Sequence, residues 1–387
     1  MNTLGKLETL FSFLRRNNHF YRDLLKKIDD VETAAVFEKL PIISKSIIRN
    51  QYDNYFSEGC DDAIEELTSG STGVPLRCLK TISERMTASM NIWKQRKRRD
   101  PEVSFNNFIN LFGEQVYKEI GNFIDTNEET MTVFLKVLLN KKPRWISAPI
   151  SIIEQYARLI ERGKVEYREK CIHFIEFFGE YVDPEKRKYI ESIFNCTTIN
   201  HYGTKETWCI AYECNCGNLH LQDNLFILEQ IPTNLSLDNP NIGELVVTSL
   251  FNKLMPFVRY NLQDLGTIET KGCDCGSKSP VITLYGGRTG DILKGTNMLG
   301  NNLFNRILNR LMKCNHDVVD GFRVEQYSLN HIVIFIVKGP NYTHLSEQLL
   351  LAFTRSELGN KIHIDLRYVD EIPRLPSGKI KNFHSYI

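Results

Sequence analysis

From residue 144 to residue 203 the chain alternates between two hydrophobic periods, and that alternation constrains its fold more than any other feature. Arg144–Ile146 is short and β-like, Ile150–Arg162 is amphipathic at helical spacing, and Ile172–Phe177 is a β run that ends at Gly179-Glu180. Asp183-Pro184 reads as a helix start, with an N-cap followed by proline at the first helical position. Thr197–Tyr202 is a further strand. Strand, helix, strand, helix, strand requires crossovers, so this stretch predicts an α/β fold with a parallel sheet and ligands at the C-terminal strand ends. With 387 residues, 42% of them hydrophobic, there is material for two or three domains with large cores.

Elsewhere the periods change. The first fifty residues read as helical, with Leu7, Leu10, Phe11 and Leu14 on one face. Residues 81–99 form a helix ending in the basic run Lys94–Arg99, a solvated face that suits a helix C-terminus. Residues 219–285 are β-rich, with strands expected at Leu225–Gln230, Gly243–Leu250 and Pro256–Tyr260. After Gly286-Gly287 comes a small α+β unit, with strand Ile332–Val337, helix His344–Thr354 and strand Lys361–Val369.

The net charge of +1, from 48 basic and 47 acidic residues, gives no bulk attraction for nucleic acid or an anionic membrane. Charges interrupt the N-terminus where a signal peptide needs an apolar core, and Ile332–Val337 is far too short to span a bilayer. The expectation is a soluble cytoplasmic protein. Scattered Cys60, Cys78, Cys171, Cys196 and Cys314 suit reduced thiols better than a disulfide framework.

The most chemical stretch is Thr68-Ser69-Gly70-Ser71-Thr72-Gly73, followed by Val74-Pro75. Hydroxyls and bare backbone N–H groups suit a polyanion, and glycine lets the backbone approach it. It is not a Walker A loop, since Pro75 stands where that pattern needs a glycine before lysine. Further segments follow in order: Phe178-Gly179-Glu180, Asn200–Glu206, Pro256–Gly266 with Asp264, Gly287–Gly295 with Arg288, and Pro373–Lys379. Each alone is weak, but the ordered set spans residues 67–379.

That set resembles the adenylate-forming ligase superfamily, most closely its phenylacetate–coenzyme A ligase and CapK-like branch. The resemblance implies a large N-terminal domain, residues 1–289, with parallel sheets and a β-rich subdomain, and a small mobile α+β C-terminal domain, residues 290–387. It implies ATP-dependent activation of a carboxylic acid as an acyl-adenylate, then transfer to a thiol such as coenzyme A. By the same resemblance Thr68, Ser69, Gly70, Ser71, Thr72 and Gly73 hold phosphates. Gly179, Glu180, His201, Tyr202, Gly203 and Thr204 line the nucleotide, with the Tyr202 ring stacked on adenine. Glu206 binds Mg²⁺, Asp264 accepts both ribose hydroxyls and Arg288 contacts ribose or phosphate. Lys379 bridges the attacking carboxylate and the α-phosphate. Such chemistry is chiefly positioning and charge neutralisation, and a flexible ammonium suits it. The acyl pocket is expected near Phe178, Trp208 and Ile210, favouring an apolar, aromatic acid; the same residues also read as core.

Three departures stand out. Lys205 replaces the hydroxyl expected beside the α-phosphate, Leu76 replaces a lysine with Arg77 next to it, and Gly290 replaces an acidic hinge. They leave a catalytically degenerate binding protein of the same fold as the rival from another class. A rival within the enzyme class keeps adenylation but uses an acyl carrier protein's phosphopantetheine thiol or an amine as acceptor. The acid and the oligomeric state are not readable from the sequence.

Cys214-Asn-Cys216 and Cys273-Asp-Cys275 each place two sulfurs near a glycine, and four such ligands suit tetrahedral Zn²⁺, with a redox pair or chance clustering as alternatives. The resemblance favours a structural Zn²⁺ held by Cys214, His220, Cys273 and Cys275, with Cys216 as the alternative ligand. A zinc-ribbon nucleic-acid module is disfavoured by the near-neutral charge.

Overall fold

The structure, a computed structural model, describes residues 3–28, 30, 32–60, 62–68, 76–113, 127–233, 241–296, 298–375 and 379–387. The apolar stripe at the start folds as α1 (Thr3–Asn17), which buries Leu7, Leu10, Phe11 and Leu14. Short helices α2 (His19–Lys26), α3 (Thr33–Lys39), α4 (Lys45–Asn50) and α5 (Tyr52–Tyr55) follow. The strands flanking the hydroxyl-rich stretch, β1 (Ala63–Leu67) and β2 (Arg77–Thr81), pair antiparallel. Next, α6 (Ile82–Arg99) begins on a reciprocal cap: Glu84 N–H donates to Thr81 Oγ1, and Thr81 N–H donates to the Glu84 carboxylate. Most of its basic end is solvated, but Arg96 is buried over the Trp93 ring.

The alternating stretch forms β3 (Phe108–Asn110), α7 (Glu128–Asn140), β4 (Trp145–Ala148), α8 (Ile150–Glu161), β5 (Phe174–Phe178) and α9 (Pro184–Phe194). β3, β4 and β5 are parallel neighbours, as the crossover pattern requires. All four residues of β4 are buried, which is why its sequence does not alternate; Ser147, its one polar residue, donates to Glu176 at 3.1 Å. Asp183 caps α9 by accepting from Glu185 and Lys186 N–H.

Then come β6 (Thr197–Thr204), β7 (Trp208–Glu213), β8 (Leu219–Leu221), β9 (Phe226–Pro232), β10 (Gly243–Ser249), β11 (Tyr260–Glu269) and β12 (Val281–Arg288), in the order β6-β7-β8-β12-β11-β10-β9. One expectation is corrected here. Pro256–Tyr260 is not a strand; the strand starts at Tyr260 and runs to Glu269. Phe257 and Val258 are apolar because they are buried plugs, and Arg259 has φ 50°, a left-handed residue that breaks extension just before the strand.

The last part forms α10 (Gly300–Cys314), β13 (Val319–Ser328), β14 (His331–Lys338), α11 (His344–Leu358), β15 (His363–Tyr368) and β16 (Phe383–Ser385). Its sheet has the order β15-β14-β13-β16, and Leu303, Phe304, Val324, Ile334 and Phe383 belong to its own apolar core.

The chain divides into two compact units. The first comprises residues 1–103, 199–233 and 241–285; the second comprises 104–198 and 286–387. Leu14, Ile48, Ile210, Val247 and Phe257 lie in the core of the first. The second holds the core just described and another around Ile146, Ile153, Ile175 and Phe177. In the second unit, charges on α8 reach the C-terminal segment: Arg158 and Arg162 donate to Asp317 at 3.0 and 2.7 Å. Among the described residues no helix is long and apolar enough to cross a membrane.

Candidate active site

In the first unit the segment His201–Glu206 is shaped by its backbone. β6 and β7 pair Tyr202 with Ala211 and Gly203 with Cys209, so Ile210 is the extra residue of a bulge. A Cβ on Gly203 would lie 1.8 Å from the Trp208 carbonyl oxygen, so only glycine permits this approach. Trp208 itself has φ 64°, and the Thr204 hydroxyl accepts from Thr207 N–H at 3.3 Å across the turn. These devices fix Glu206, whose buried carboxylate accepts from Tyr260 Oη at 2.9 Å and lies 3.4 Å from Lys45 Nζ. Tyr202 Oη donates to Asp264 on β11 at 2.9 Å. The ring expected to stack on a base thus also orients the expected ribose acceptor. His201 is half-buried, its ring 6.3 Å from that of Tyr212.

The Lys205 side chain is exposed, but its carbonyl accepts from Lys80 Nζ at 2.6 Å. Lys80 is only 1% exposed and pairs with Glu66 at 3.0 Å; Glu66 also accepts from Trp208 Nε1 at 3.0 Å. Burial alone would push the Glu66 carboxyl up, but Lys80 and the indole N–H outweigh it and hold it below the ordinary range. This buried pair ties the β1–β2 hairpin to the Lys205-Glu206 turn. Thr68 closes that hairpin, its N–H donating to Leu76 O at 3.0 Å and its hydroxyl accepting from Leu76 N–H at 2.8 Å. Ser69, Gly70, Ser71, Thr72 and Gly73 lie outside the described residues. Arg77 points to solvent and pairs with Glu65. Ile210 is a core residue, and Cys209 is buried beside it.

In the second unit the C-terminal ends of β4 and β5 collect the other expected residues. Glu180 follows β5 and accepts from Ser151 N–H and Oγ, each at 3.0 Å, at the start of α8. Ile380 N–H donates to the same carboxylate at 3.2 Å. Arg374 donates to Ser151 Oγ at 2.9 Å and to Gln155 Oε1 at 2.7 Å. Gly179 has φ 77°, and a Cβ there would meet Lys379 Cε at 2.8 Å and Nζ at 3.1 Å. The structure therefore brings Gly179, Glu180 and Lys379 together, with the lysine stem laid on a bare glycine. The Phe178 ring packs edge-on against Phe112 at 5.6 Å. Arg288 ends β12, its N–H donating to Asp291. Gly290 follows in a short 3₁₀ turn with open space where a Cβ would be.

The cysteine cluster lies in the first unit. Ligand atoms of Cys214, His220, Cys273 and Cys275 all fall within 4.8 Å of one another, and Cys216 is exposed outside this group. Gly217 at φ 78° and Gly276 at φ 80° turn the two Cys-x-Cys segments. The Cys214 and Cys273 sulfurs are 3.7 Å apart, close to the roughly 3.8 Å edge of a tetrahedron with Zn–S of about 2.3 Å. Cys275 Sγ is 3.4 Å from His220 Nε2, while His220 Nδ1 donates to Ser279 O at 2.9 Å and leaves the Nε2 lone pair for the cluster. Hydrogen bonds from Cys275 N–H and the Asn218 amide hold the Cys273 thiol below its ordinary range, whereas burial pushes the Cys214 and Cys275 thiols up. None of the ten cysteines is in a disulfide.

Sequence reasoning missed Lys45, Glu66, Lys80, Ser151, Tyr260 and Arg374. Only Lys80 carried a signal, an inward position on a strand whose burial alternates.

Comparison with known proteins bears on the fold. 2-Hydroxyisobutyryl-CoA ligase, solved in the postadenylation state with R3-HIB-AMP, superposes with a TM-score of 0.75 at 13% identity, covering 99% of this chain and 88% of that one. A benzoate CoA ligase from Burkholderia xenovorans gives a TM-score of 0.54 at 15% identity over 84% of this chain and 68% of that one. The chain thus has the fold of the adenylate-forming ligases. Residues 299–385 match the family described as CapK C-terminal domain, and Protein CapK of Staphylococcus aureus is 22% identical over 409 residues, spanning 97% of this chain and 86% of that protein. Its C-terminal part thus matches the CapK C-terminal domain, and over most of its length the chain is similar to CapK.

Proposed function

We propose that this chain is an AMP-forming ligase that activates a carboxylic acid with ATP. The acid's carboxylate oxygen attacks the α-phosphorus, the bond to the bridging oxygen breaks, and pyrophosphate leaves with the electron pair. A thiolate then attacks the acyl carbonyl and AMP departs. The observation that carries this reading is Lys379, a C-terminal lysine laid against Gly179 beside Glu180, where the strand ends of a parallel sheet collect ligands. Its ammonium offsets charge between carboxylate and α-phosphate. Glu206 holds Mg²⁺, which neutralises phosphate charge when bound; the nearby Lys45 ammonium marks this carboxylate as a cation acceptor. Asp264, aimed by Tyr202, takes the ribose hydroxyls. Arg288, His201, Gly203, Thr204 and the hydroxyl-rich stretch contact the nucleotide, and Lys205 stands in for the missing hydroxyl. Phe178 and Trp208 favour an aromatic acid.

Coenzyme A is the proposed acceptor, because solved ligases of this fold bear that name. Residues 290–387 are proposed to move between half-reactions, pivoting on the unobstructed Gly290. Cys214, His220, Cys273 and Cys275 hold a structural Zn²⁺, for which the sulfur spacing speaks. A reducing, cytoplasmic setting is proposed because the scattered Cys60, Cys78, Cys171, Cys196 and Cys314 suit reduced thiols better than a disulfide framework.

The test is acid-dependent pyrophosphate release and hydroxamate formation over a carboxylic-acid library, followed by AMP release with coenzyme A, carrier proteins or amines. At least one acid should turn over in the wild type and not in Lys379→Ala. Nucleotide binding without turnover for any acid would leave the degenerate binding protein instead.

A further inference from the structure

Among the described residues outside the sites above, a second cluster of metal-type ligands lies in the C-terminal sheet. We propose that His331, His363 and Asp365 form a binding site for one borderline divalent transition-metal ion, of the Zn²⁺ or Ni²⁺ type. The proposal goes beyond the ligase reading and does not depend on it.

The backbone creates the cluster. β14 and β15 pair in parallel with His331 opposite His363, and Asp365 follows His363 by two residues and so points to the same face. The two rings lie 5.1 Å apart with 43° between their planes. His331 Nε2 is 3.0 Å from one Asp365 oxygen, and His363 Nε2 is 3.0 Å from the other. Two imidazoles thus converge through the same ring nitrogen on one carboxylate, and all three ligand atoms lie within 4.8 Å of one another.

Without an ion, each Nε2–H donates to the carboxylate. A metal replaces those two hydrogens: each neutral ring carries its proton on Nδ1 instead, or releases it to solvent if the ring was protonated. No bond in the chain breaks and nothing is oxidised. Two imidazoles and one carboxylate suit zinc, nickel or copper rather than magnesium or calcium. Side-chain exposures of 32% for His331, 71% for His363 and 37% for Asp365 let an ion arrive without any opening of the fold, and water completes its coordination. Arg367, two residues beyond Asp365, has its guanidinium 5.8 Å from the Phe335 ring; this nearby cation tempers the affinity. Because β15 is an edge strand, a bound ion staples it to β14.

The experiment is calorimetric titration of the full chain with Zn²⁺ and with Ni²⁺, beside His363→Ala and His331→Ala. Any binding at the cysteine cluster is common to all three, so the difference isolates this site. The wild type should bind one equivalent more than either variant, or bind that equivalent at least tenfold more tightly. With Co²⁺ that equivalent should add visible d–d absorption without a thiolate-to-cobalt charge-transfer band. Zn²⁺ should raise the wild-type melting temperature more than that of His363→Ala. Since His363 is exposed, circular dichroism should confirm an unchanged fold. Equal stoichiometry and equal affinity in all three folded proteins would leave a hydrogen-bonded triad only and overturn the proposal.

Discussion

Two regions carrying expected active-site residues are built in opposite ways. The turn from Gly203 to Trp208 is fixed by backbone: a bulge, a glycine with no room for a methyl group, a left-handed tryptophan and a buried lysine beneath. The tail around Lys379 is held by polar contacts from Arg374 and Ile380 at the end of a parallel sheet. The first arrangement makes a preformed platform. The second is an attachment made by side-chain and loop hydrogen bonds rather than by strand pairing. The proposed nucleotide-binding groups therefore sit where stability is invested, and the proposed catalytic cation sits on the lighter attachment.

The difference can be broken at several points. The largest effect is expected from Lys379→Ala, which should cut adenylation roughly 10²–10³-fold, about 3–4 kcal/mol in the transition state, while leaving the denaturant midpoint unchanged. Single-turnover pyrophosphate release beside a urea melt checks this. Gly203→Ala should act first on the fold: with its methyl 1.8 Å from the Trp208 carbonyl oxygen, it should lose about 3 kcal/mol of stability in the same melt.

Acid should weaken the tail's support. Burial alone would raise the Glu154 carboxyl, but Lys186 and Arg158 outweigh it and hold it at about 2 against an ordinary 4.5. A depressed folded value means its stabilisation is complete above pH 4.5 and lost as pH falls towards 2, at most about 3 kcal/mol. Hydrogen exchange across α8 and α9 should accelerate over that window. The smallest effect is expected from Arg374→Gln, about 1 kcal/mol or less in global stability, yet with faster limited proteolysis near residue 375. Unchanged cleavage would mean Arg374 does not hold the tail.

Much of the fold was legible because it is periodic. The crossover pattern at 144–203, the Asp183-Pro184 cap and the C-terminal strands each announce themselves in local residue order. Pro256–Tyr260 misled because buried plugs and buried strands share a composition; only the backbone turn at Arg259 separates them. The partners of the expected site residues stayed hidden for another reason. Lys45, Glu66, Tyr260 and Arg374 are single polar residues whose meaning comes from distant contacts, and no spacing encodes those. The two Cys-x-Cys pairs were readable because glycine-bearing turns advertise them in sequence; His220 entered only through the family resemblance, and the structure groups it with Cys214, Cys273 and Cys275.

The clasp of Thr68 on Leu76 has an evolutionary consequence. Two hydrogen bonds seal the hairpin just inside the hydroxyl-rich stretch, so register errors cannot pass from that stretch into β1 and β2. The pairing of β1 with β2 is then set by residues of the strands themselves, so the proposed phosphate-contacting sequence between Thr68 and Leu76 can change while the strands keep their register.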